Sequence, residues 1–249
     1  MKNLDLTLPS PAENLASDEA LLDWCESGGG EEVLRFWESP ETFVVVGYAN
    51  KIAVEVNVEN CRAKQIPIFR RCSGGGTVLQ GAGCLNYALI LQIAENSPLA
   101  SISSANKFIM ERNRAAIESE VRSQKSESGI SVSGHTDLTL NSHLSTFNKF
   151  SGNSQRRRKN FLLFHGTFLL NFDLALASEF LRIPSKQPDY RASRSHGEFL
   201  TNLNLPVDKV KAALKKSWDA IEELKEFPKS EIQKLAVQKY STDEWNFKL

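Results

Sequence analysis

The sequence predicts an α+β fold in which helices flank a central, mostly antiparallel sheet. Two observations predict it: short apolar or alternating runs typical of strands recur along the chain, and segments with helical periodicity lie among them and at both ends. No internal repeat or low-complexity linker separates these segments. Because 249 residues suit one large domain, we expect a single domain over residues 1–249.

The first predicted helix has the clearest start and end. Ser10 is a suitable N-cap, Pro11 suits the first turn, and Glu13 takes the capping-box position. The glycines at 28–30 are expected to end the helix. Further helices are predicted at 58–65, 104–121, 174–182, 206–224 and 229–237.

Strands are predicted wherever apolar residues alternate with polar ones or run together between turn residues. The predicted strands are 33–38, 42–47, 66–71, 85–93, 137–140 and 165–174. Residues 123–134 are interpreted as a polar loop with a short strand, and residues 148–160 as the connection between the last two strands.

Charge and composition exclude several classes of protein. Lysine plus arginine equals aspartate plus glutamate at 30 each, so no overall field favours nucleic acid or an anionic membrane. No apolar run has the length to span a bilayer, and the N-terminus does not resemble a signal sequence. The four cysteines lack zinc spacing, which favours free thiols in a reducing compartment. We therefore expect a cytoplasmic protein without a nucleic-acid or membrane partner.

The segment "FRRCSGGGTVLQGAGCLNYALIL", residues 69–91, combines two arginines, three successive glycines and an alternating apolar run. Glycines let a ligand approach the main chain, whose N–H groups attract anions. Arg70 and Arg71 add groups that bind phosphate or carboxylate in a bidentate manner. The segment therefore predicts a site for an anionic ligand. The alternative is a flexible turn between strands, with the arginines at a solvated strand end.

The glycine segment does not match two common phosphate-binding motifs. Gly76 and Gly81 have the spacing of the G-x-x-x-x-G-K-[ST] loop, but Ala82 and Gly83 stand where that motif has Lys and Ser or Thr. The dinucleotide pattern G-x-G-x-x-G fails because Leu79 takes the place of the third glycine. A phosphate loop of either class is thus excluded.

Several spaced segments resemble the lipoate–protein ligase A family. "RRCSGGGTVLQGAGCLNYALIL" at 70–91 is similar to its signature R-R-x-S-G-G-G-x-V with a following leucine, asparagine and aromatic residue. "NKFSGNSQRRRKNFLLFHGTFLLNFDL" at 148–174 is similar to K-x-S-G-[SN]-A-Q followed by H-G-T-[IL]-L. "ENLASDEALL" at 13–22, "EVN" at 55–57 and "PDYRASRSHGEFLTNL" at 188–203 resemble further family segments in the expected order. The resemblance covers nearly the whole chain.

The resemblance implies a fold, a reaction and partners. The fold would resemble the catalytic domains of biotin ligases and class II aminoacyl-tRNA synthetases. The enzyme would use ATP and Mg²⁺ to activate lipoate as lipoyl-AMP, and would then pass the lipoyl group to a lysine of an acceptor domain in the 2-oxoacid dehydrogenases or the glycine cleavage system. Positive charge and loop amides would neutralise the carboxylate and α-phosphate as they approach.

The resemblance also assigns residues to this site. Lys149 would be the catalytic residue, contacting the acyl carbonyl region and the α-phosphate; a solvated surface lysine is the alternative interpretation. The residues expected to bind ATP and lipoyl-AMP are Arg71, Ser73, Gly74, Gly75, Gly76, Thr77, Val78, Leu79, Asn86, Lys149 and Gly152.

Further candidates have weaker support from the sequence. Arg70 belongs to the arginine pair, and His165 lies in "FHGTFLL", where a structural role is the alternative. Asn86 and Asp137 are candidates for the ATP side of the site, Asp137 through Mg²⁺, with core or turn roles as the alternative. The remaining histidines lack ligand-like spacing. The basic run at 156–159 is either a solvated loop or a surface that steers an acidic acceptor domain.

Three departures from the family pattern concern the catalytic segment and the chain length. The loop "NSHLSTFN" at 141–148 is longer than usual, with Asn148 in the place of a basic residue, and Ser154 replaces the usual alanine. These changes put full activity in question. The chain also stops near residue 249 without the accessory domain of longer ligases, so a separate accessory subunit is an expected partner.

Two other functions compete with the ligase. An octanoyl- or lipoyl-transferase shares the fold but works through a cysteine thioester, and residues 131–137, where that branch carries its cysteine, contain none. Cys72 and Cys84 are expected to behave as small buried hydrophobes. A lipoate-binding homologue with a weakened catalytic loop is the second competitor.

Overall fold

The computed structural model of the protein describes residues 1–123, 129–141, 147–184 and 186–249. The strands are β1 Lys2–Asp5, β2 Val33–Glu38, β3 Phe43–Val46, β4 Ile68–Arg70, β5 Val78–Gln80, β6 Cys84–Gln92, β7 Gly129–Ser133, β8 Asp137–Asn141, β9 Phe147–Arg157, β10 Phe161–Leu169 and β11 Glu222–Glu223. The helices are α1 Pro11–Glu26, α2 Ile52–Glu55, α3 Val58–Ala63, α4 Ile102–Ser123, α5 Ala175–Phe180, α6 His196–Phe199, α7 Val207–Ser217, α8 Lys229–Leu235 and α9 Asp243–Asn246.

Two sheets organise these elements. The larger has eight strands in the order β11-β1-β2-β6-β10-β9-β8-β7, and the smaller has three in the order β4-β3-β5. Among the described strands of the larger sheet, only β1 pairs in parallel, with β11 and with β2; in the smaller sheet β3 and β4 are parallel. The predicted α+β fold with a mostly antiparallel sheet is therefore confirmed.

Helix α1 is buried along almost its whole length because it lies between other elements on more than one side. Its first turn forms the predicted capping box, in which the N-cap Ser10 and Glu13 exchange hydrogen bonds. Leu21 and Leu22 pack with β2, β6 and β10 of the larger sheet. Ala16 and Ala20 pack in a second cluster with Trp37 on β2, with β3 of the smaller sheet and with α8. The helix therefore joins one face of the large sheet to the small one.

The opposite face of the large sheet carries the largest hydrophobic cluster. Helices α4 and α7 pack on that face and on each other. Tyr87 and Phe168 stack there with ring centroids 5.2 Å apart, and Phe150 extends the stack. Because this face is closed by apolar packing, polar chemistry is left to the face that α1 covers.

Several predicted boundaries are wrong. Residues 148–160 were expected to connect two strands, but residues 147–157 form β9. One face of β9 lines a polar site, so its sequence lacks the alternation of apolar and polar residues that predicts a strand. The strand predicted at 165–174 is shifted to Phe161–Leu169. The helix predicted at 206–224 ends at Ser217, since Asp219 takes a left-handed backbone conformation and the chain then pairs with β1. The short strands β1, β5 and β11 were not predicted.

The remaining predicted elements agree with the structure. The strands expected at 33–38, 42–47, 66–71, 85–93 and 137–140 and the helices expected at 58–65, 104–121, 174–182 and 229–237 all appear with small changes at their ends. Residues 236–240 continue the last of these helices as a π-helical turn. Residues 124–128, and residues 142–146 of the predicted longer loop at 141–148, lie outside the described residues.

The C-terminal residues hold the start of the glycine segment. The backbone N–H of Arg70 donates to Asn246 Oδ1 at 2.9 Å, and its Nε donates to the carbonyl oxygen of Asn246 at 3.1 Å. Trp245 Nε1 donates to the carbonyl oxygen of Arg70 at 2.8 Å. Strand β4 is thus fixed by residues about 175 positions further along the chain. Across the ranges that the structure describes, no helix has the length and apolar character needed to cross a bilayer.

Candidate functional site

Two adjacent rows of residues cross the sheet face that α1 covers. Arg35, Ala88, His165 and Ser154 are direct neighbours on β2, β6, β10 and β9. Directly paired residues in a sheet point to the same side, so these four share one face. Two residues further along the strands, a second row is formed by Asn86, Thr167, Gly152 and Asp137. The sheet thus brings polar residues from distant parts of the sequence side by side.

The first row carries a buried chain of polar contacts. Arg35 Nη1 lies 2.7 Å from Asp18 Oδ1, and the other oxygen of Asp18 lies 2.7 Å from His165 Nδ1. His165 Nε2 lies 2.6 Å from Ser73 Oγ. Asp18 and Ser73 are 3% and 1% exposed and Arg35 is fully buried. The chain therefore connects β2, α1, β10 and the glycine segment in a place shielded from water.

Arg35 compensates the buried charge of Asp18. Burial lowers the pKa of Arg35 from its ordinary value, and the adjacent Asp18 carboxylate opposes that shift. The guanidinium also donates to the carbonyl oxygen and to the side-chain oxygen of Asn14 at 2.9 and 2.8 Å. With these bonds the buried pair meets the requirement that buried charges be paired and hydrogen-bonded.

The glycine loop, residues 73–77, lies over this face and is held by Arg71. The Arg71 guanidinium donates to the carbonyl oxygens of Gly74 and Gly76, and its Nε donates to Ser73 Oγ at 3.1 Å. Gly75 has a φ of +85°, a backbone conformation that side-chain-bearing residues rarely adopt. Burial lowers the pKa of Arg71 to about 10. The Arg71 guanidinium therefore lies at the predicted loop, and its N–H groups donate to carbonyl oxygens of that loop.

Backbone amides of the loop differ in their availability. The N–H groups of Gly74, Gly75 and Gly76 donate to no other residue in the part of the chain that the structure describes, and these residues are exposed. In contrast, the N–H of Thr77 donates to Glu55 Oε2 at 3.1 Å. The predicted anion-binding amides are therefore free at three of the predicted positions.

Other residues of the predicted binding set have structural contacts. Val78 and Leu79 belong to β5 and pair with β3, and Leu79 is buried. Arg70 is fully buried and donates to the carbonyl oxygens of Gly47 and Asn50 at 2.9 and 2.8 Å. Its Nε and Nη1 are thus occupied by backbone oxygens, while Nη2 has no partner among the described residues.

Lys149 lies in the second part of the site, on a strand rather than in the loop that the sequence suggested. It is the third residue of β9, and its Nζ lies 2.8 Å from Asp137 Oδ1 on β8. A Cβ added to Gly152 would come within 2.7 Å of Lys149 Nζ, so a side chain at position 152 would push this ammonium group out of its present position. The side chains of Lys149 and Asp137 are 24% and 14% exposed.

The segment at 188–203 holds Lys149 and Asp137 from outside the sheet. Tyr190 donates its hydroxyl to Asp137 Oδ2 at 2.6 Å, and burial together with the Asp137 carboxylate raises the pKa of Tyr190. The backbone N–H of Thr201 donates to the carbonyl oxygen of Lys149 at 3.0 Å. Both carboxylate oxygens of Asp137 are therefore engaged, one by Lys149 and one by Tyr190.

Both carboxylate oxygens of Asp137 have a partner in this structure, so a magnesium ion there would have to share the carboxylate with Lys149 and Tyr190 or displace them. Within the described ranges no group of three or more His, Cys, Asp or Glu residues is placed to hold a metal ion. The ion predicted at Asp137 stays a prediction.

Asn86 lies on β6 in the second row, and its predicted contact with ATP stays a prediction. Thr167 Oγ1 donates to Asn86 Oδ1 at 2.6 Å, and Gln80 Nε2 donates to Thr167 Oγ1 at 2.7 Å. The buried atoms Asn86 Nδ2 and Gln80 Oε1 have no partner among the described residues. Such orphaned polar atoms are uncommon in folded proteins and mark a place where a ligand or water would bind.

All four cysteines are free thiols and buried. Burial raises the pKa of Cys72 and of Cys84 to about 12, with Glu19 adding to the shift at Cys72. A thiol with such a pKa is almost entirely protonated at neutral pH and is a poor nucleophile. The prediction that Cys72 and Cys84 are inert core residues therefore agrees with the structure.

Sequence reasoning missed Asp18, Arg35 and Tyr190 as parts of the site. A charged residue inside the apolar strand "VLRFWE" was a usable signal for Arg35, since a buried arginine needs an acidic partner. Asp18 and Tyr190 lie in segments that resemble the family, but nothing in their local sequence indicates that they contact His165 and Asp137.

Comparison with known proteins supports the family. A model of the lipoyl protein ligase A/B catalytic domain matches residues 10–219. The octanoyltransferase LipM of Halalkalibacterium halodurans is 25% identical over 96% of this chain and 95% of its own length, and that of Bacillus subtilis is 27% identical with the same coverage. A probable lipoate-protein ligase A of Mycoplasma genitalium is 29% identical over 78% of this chain and 55% of its own length.

Solved structures with the same fold agree. The bi-partite lipoate protein ligase of Thermoplasma acidophilum, studied with its E2 lipoyl domain, superimposes with a TM-score of 0.77 at 24% identity, covering 99% of this chain and 96% of that one. A lipoate-protein ligase A bound with ATP superimposes with a TM-score of 0.73 at 24% identity, covering 99% of both chains. At these identities the likeness shows the fold. The family model spans residues 10–219, and the chain therefore belongs to the lipoyl protein ligase A/B catalytic domain family.

Proposed function

We propose that the protein transfers an octanoyl or lipoyl group from an activated donor to a lysine of a lipoyl-acceptor domain. The relatives named octanoyltransferase LipM support transfer from an acylated carrier, because they match over nearly their whole length. The sequence-based prediction placed an ATP-dependent ligase first and a transferase as its alternative. The relatives reverse that order.

The observation that carries the proposal is the placement of Lys149 and the glycine loop. Lys149 and Gly152 lie close together on β9, and Ser154, two residues further along that face, donates to the carbonyl oxygen of Gly74 at 2.9 Å. An acyl carbonyl bound along this face would have the Lys149 ammonium and the free amides at Gly74 and Gly75 as stabilising donors. These groups suit a reaction in which negative charge develops on a carbonyl oxygen.

ATP-dependent ligation through lipoyl-AMP is the second candidate, and one observation favours it. A transferase that works through a thioester needs a reactive thiol, whereas the cysteines of this chain are buried and the thiols of Cys72 and Cys84 have a raised pKa. A solved lipoate-protein ligase A with this fold is bound with ATP, which also supports the ligase candidate. ATP, Mg²⁺ and a separate accessory subunit belong to this second candidate, and a cytoplasmic location stays a prediction.

The source of the activated acyl group distinguishes the two candidates. Purified protein is mixed with a lipoyl domain and supplied either with an octanoyl-carrier thioester or with free octanoate or lipoate plus ATP and Mg²⁺. Modification of the domain is followed by intact mass, and a domain whose acceptor lysine is replaced by arginine is the control.

For the proposed transferase we expect modification from the thioester without ATP. Modification from the free acid, together with pyrophosphate release, would support the ligase instead. If neither donor modifies the domain, with or without an accessory subunit, the proposed transfer is wrong and a lipoate-binding role remains to be tested by direct binding of lipoate.

A further inference from the structure

Ser73, His165 and Asp18 have the arrangement of an activated serine nucleophile. Asp18 bonds to His165 Nδ1 at 2.7 Å, and His165 Nε2 lies 2.6 Å from Ser73 Oγ. These are the distances over which a carboxylate orients a histidine that in turn accepts a serine proton. The three residues come from α1, β10 and the glycine loop. They lie far apart in the sequence, so no continuous motif contains them.

The neighbours of the three residues suit a serine that gives its proton to His165. Arg35 pairs with one oxygen of Asp18, and the other oxygen of Asp18 lies within hydrogen-bond distance of His165 Nδ1. With a proton on Nδ1, a neutral imidazole would offer Nε2 as the acceptor for the Ser73 hydroxyl. Arg71 Nε donates to the same Ser73 oxygen at 3.1 Å.

From this we infer that Ser73 is a nucleophile that carries the octanoyl or lipoyl group as an oxyester during transfer. The inference rests on the proposed function for its acyl donor and its acceptor. It supplies the covalent step for which the buried cysteines are unsuited, with a serine in place of a thiol.

The step is balanced as two acyl exchanges. Ser73 Oγ attacks the carbonyl carbon of the activated donor, its proton passes to His165 Nε2, and the bond to the leaving thiol or phosphate breaks as that group departs with the proton from His165. The amine of the acceptor lysine then attacks the ester, His165 takes the amine proton and returns it to Ser73 Oγ. No oxidant or further reactant is needed.

The glycine loop provides two features that this step requires. The free N–H groups of Gly74 and Gly75 lie directly after the nucleophile, as expected for donors to a carbonyl oxygen that becomes negative. Ser73 itself is 1% exposed, so the loop must lift before the donor reaches it. A Cβ added at Gly74 or Gly76 would meet no other atom within 4 Å, so the loop borders open space at these two positions, whereas Gly75 lies against Arg71 and Ser154.

The competing explanation is that the buried chain only anchors the glycine loop to the sheet. In that case Ser73 would need a hydrogen-bond partner but would never carry an acyl group. Covalent labelling separates the two explanations, because an anchor leaves no ester.

The experiment uses p-nitrophenyl octanoate without any acceptor domain, so that an acyl-enzyme accumulates. We expect a burst of p-nitrophenolate equal to the enzyme concentration and one octanoyl group mapped to Ser73. Ser73→Ala should abolish the burst, while Ser73→Cys should form a thioester that neutral hydroxylamine cleaves faster than the oxyester. His165→Gln should slow acylation about 100- to 10,000-fold. Ser123→Ala, at the exposed end of α4, is the matched control and should behave as the parent protein.

Two further donors, an octanoyl-carrier thioester and octanoate with ATP, identify the source of the acyl group. Octanoyl mapped to a cysteine or to Lys149 would overturn the inference, as would normal transfer to a lipoyl domain by Ser73→Ala. In the latter case the proposed transfer would stand. An ester on Ser73 that is never passed to a lipoyl domain would support the nucleophile and contradict the proposed function.

Discussion

The site contains two polar clusters on one sheet face that differ in their exposure to water. The inner cluster of Arg35, Asp18, His165 and Ser73 is almost entirely buried. In the outer cluster, Lys149 pairs with Asp137 while part of both side chains stays exposed. The inner cluster makes its contacts entirely within the protein, whereas the outer ammonium group has room to exchange its carboxylate for another anion.

The difference teaches how one face supports both stability and binding. A buried ion pair is held rigidly because either partner alone would be an uncompensated charge. The Lys149–Asp137 pair keeps part of its surface in water, so losing it to a ligand costs less than breaking the inner pair. We therefore expect substitutions in the inner cluster to affect folding as well as activity, and substitutions in the outer cluster to affect activity more than folding.

The largest effect is expected when Arg35 is removed. Arg35→Met leaves Asp18 buried without its cation and should lower the free energy of unfolding by about 3–5 kcal/mol. Urea unfolding measures the change. Arg114→Met is the matched control, because Arg114 pairs with Glu111 and Glu118 on the surface of α4 and should cost about 0–1 kcal/mol. Equal losses in both variants would remove the contrast between the clusters.

Removal of Lys149 should be the largest effect on catalysis alone. Lys149→Ala should reduce acyl transfer roughly 100- to 1000-fold, since it deletes a preorganised cation near the developing charge. Unfolding should change little, because the backbone bond from Thr201 remains. Lys149→Arg should also be impaired, since a planar guanidinium is bulkier than the ammonium group that lies against Gly152.

Lys107→Ala, at an exposed position of α4, is the control for Lys149. Transfer is measured separately from a preformed acyl donor and, for the ligase candidate, from the free acid with ATP. Parent-like rates for Lys149→Ala in every assay would show that the catalytic cation lies elsewhere.

An intermediate effect is expected at Tyr190. Tyr190→Phe removes a hydrogen bond to a charged carboxylate, a contact worth about 1.5–3 kcal/mol, but Asp137 keeps its bond to Lys149. Its raised pKa keeps the Tyr190 hydroxyl protonated, so the effect should not vary with pH in the neutral range. A double-mutant cycle with Asp137→Asn measures the coupling. Additive effects on transfer would show that Tyr190 does not act through Asp137.

The smallest effect is expected at the cysteines. Because burial raises the pKa of Cys72 and Cys84 to about 12, their thiols stay protonated at pH 8 and should resist iodoacetamide in the folded protein. The same thiols should react at once in urea. Cys72→Ala and Cys84→Ala should retain acyl transfer. Rapid labelling of either thiol in folded protein, or a stable thioester on it, would restore a cysteine mechanism.

The sequence was informative where local chemistry determines structure. The capping box at Ser10 and Glu13, the alternation in β6 and the glycine loop follow from neighbouring residues, and the structure contains all three. Strand β9 was missed because its polar residues serve the site and break the alternation on which strand prediction depends.

The clusters themselves were beyond local patterns. Asp18 and His165 are 147 positions apart in the chain, and their contact depends on how α1 lies over β10. Tyr190 reaches Asp137 across 53 positions. Only tertiary packing brings these residues together, so a single sequence indicates Lys149 and the glycine loop but leaves their partners unidentified.

The hydrogen bonds from Asn246 and Trp245 to Arg70 have a consequence for folding kinetics. They join β4, which leads into the glycine loop, to residues that lie about 175 positions later in the chain. The loop therefore reaches its final position only after the C-terminal residues have packed against β4. Contacts of such long sequence separation are slow to form because the intervening chain must first be ordered. We expect refolding to regain far-ultraviolet circular dichroism before acyl transfer. Substitutions outside residues 240–249 should change this lag less than substitutions within them.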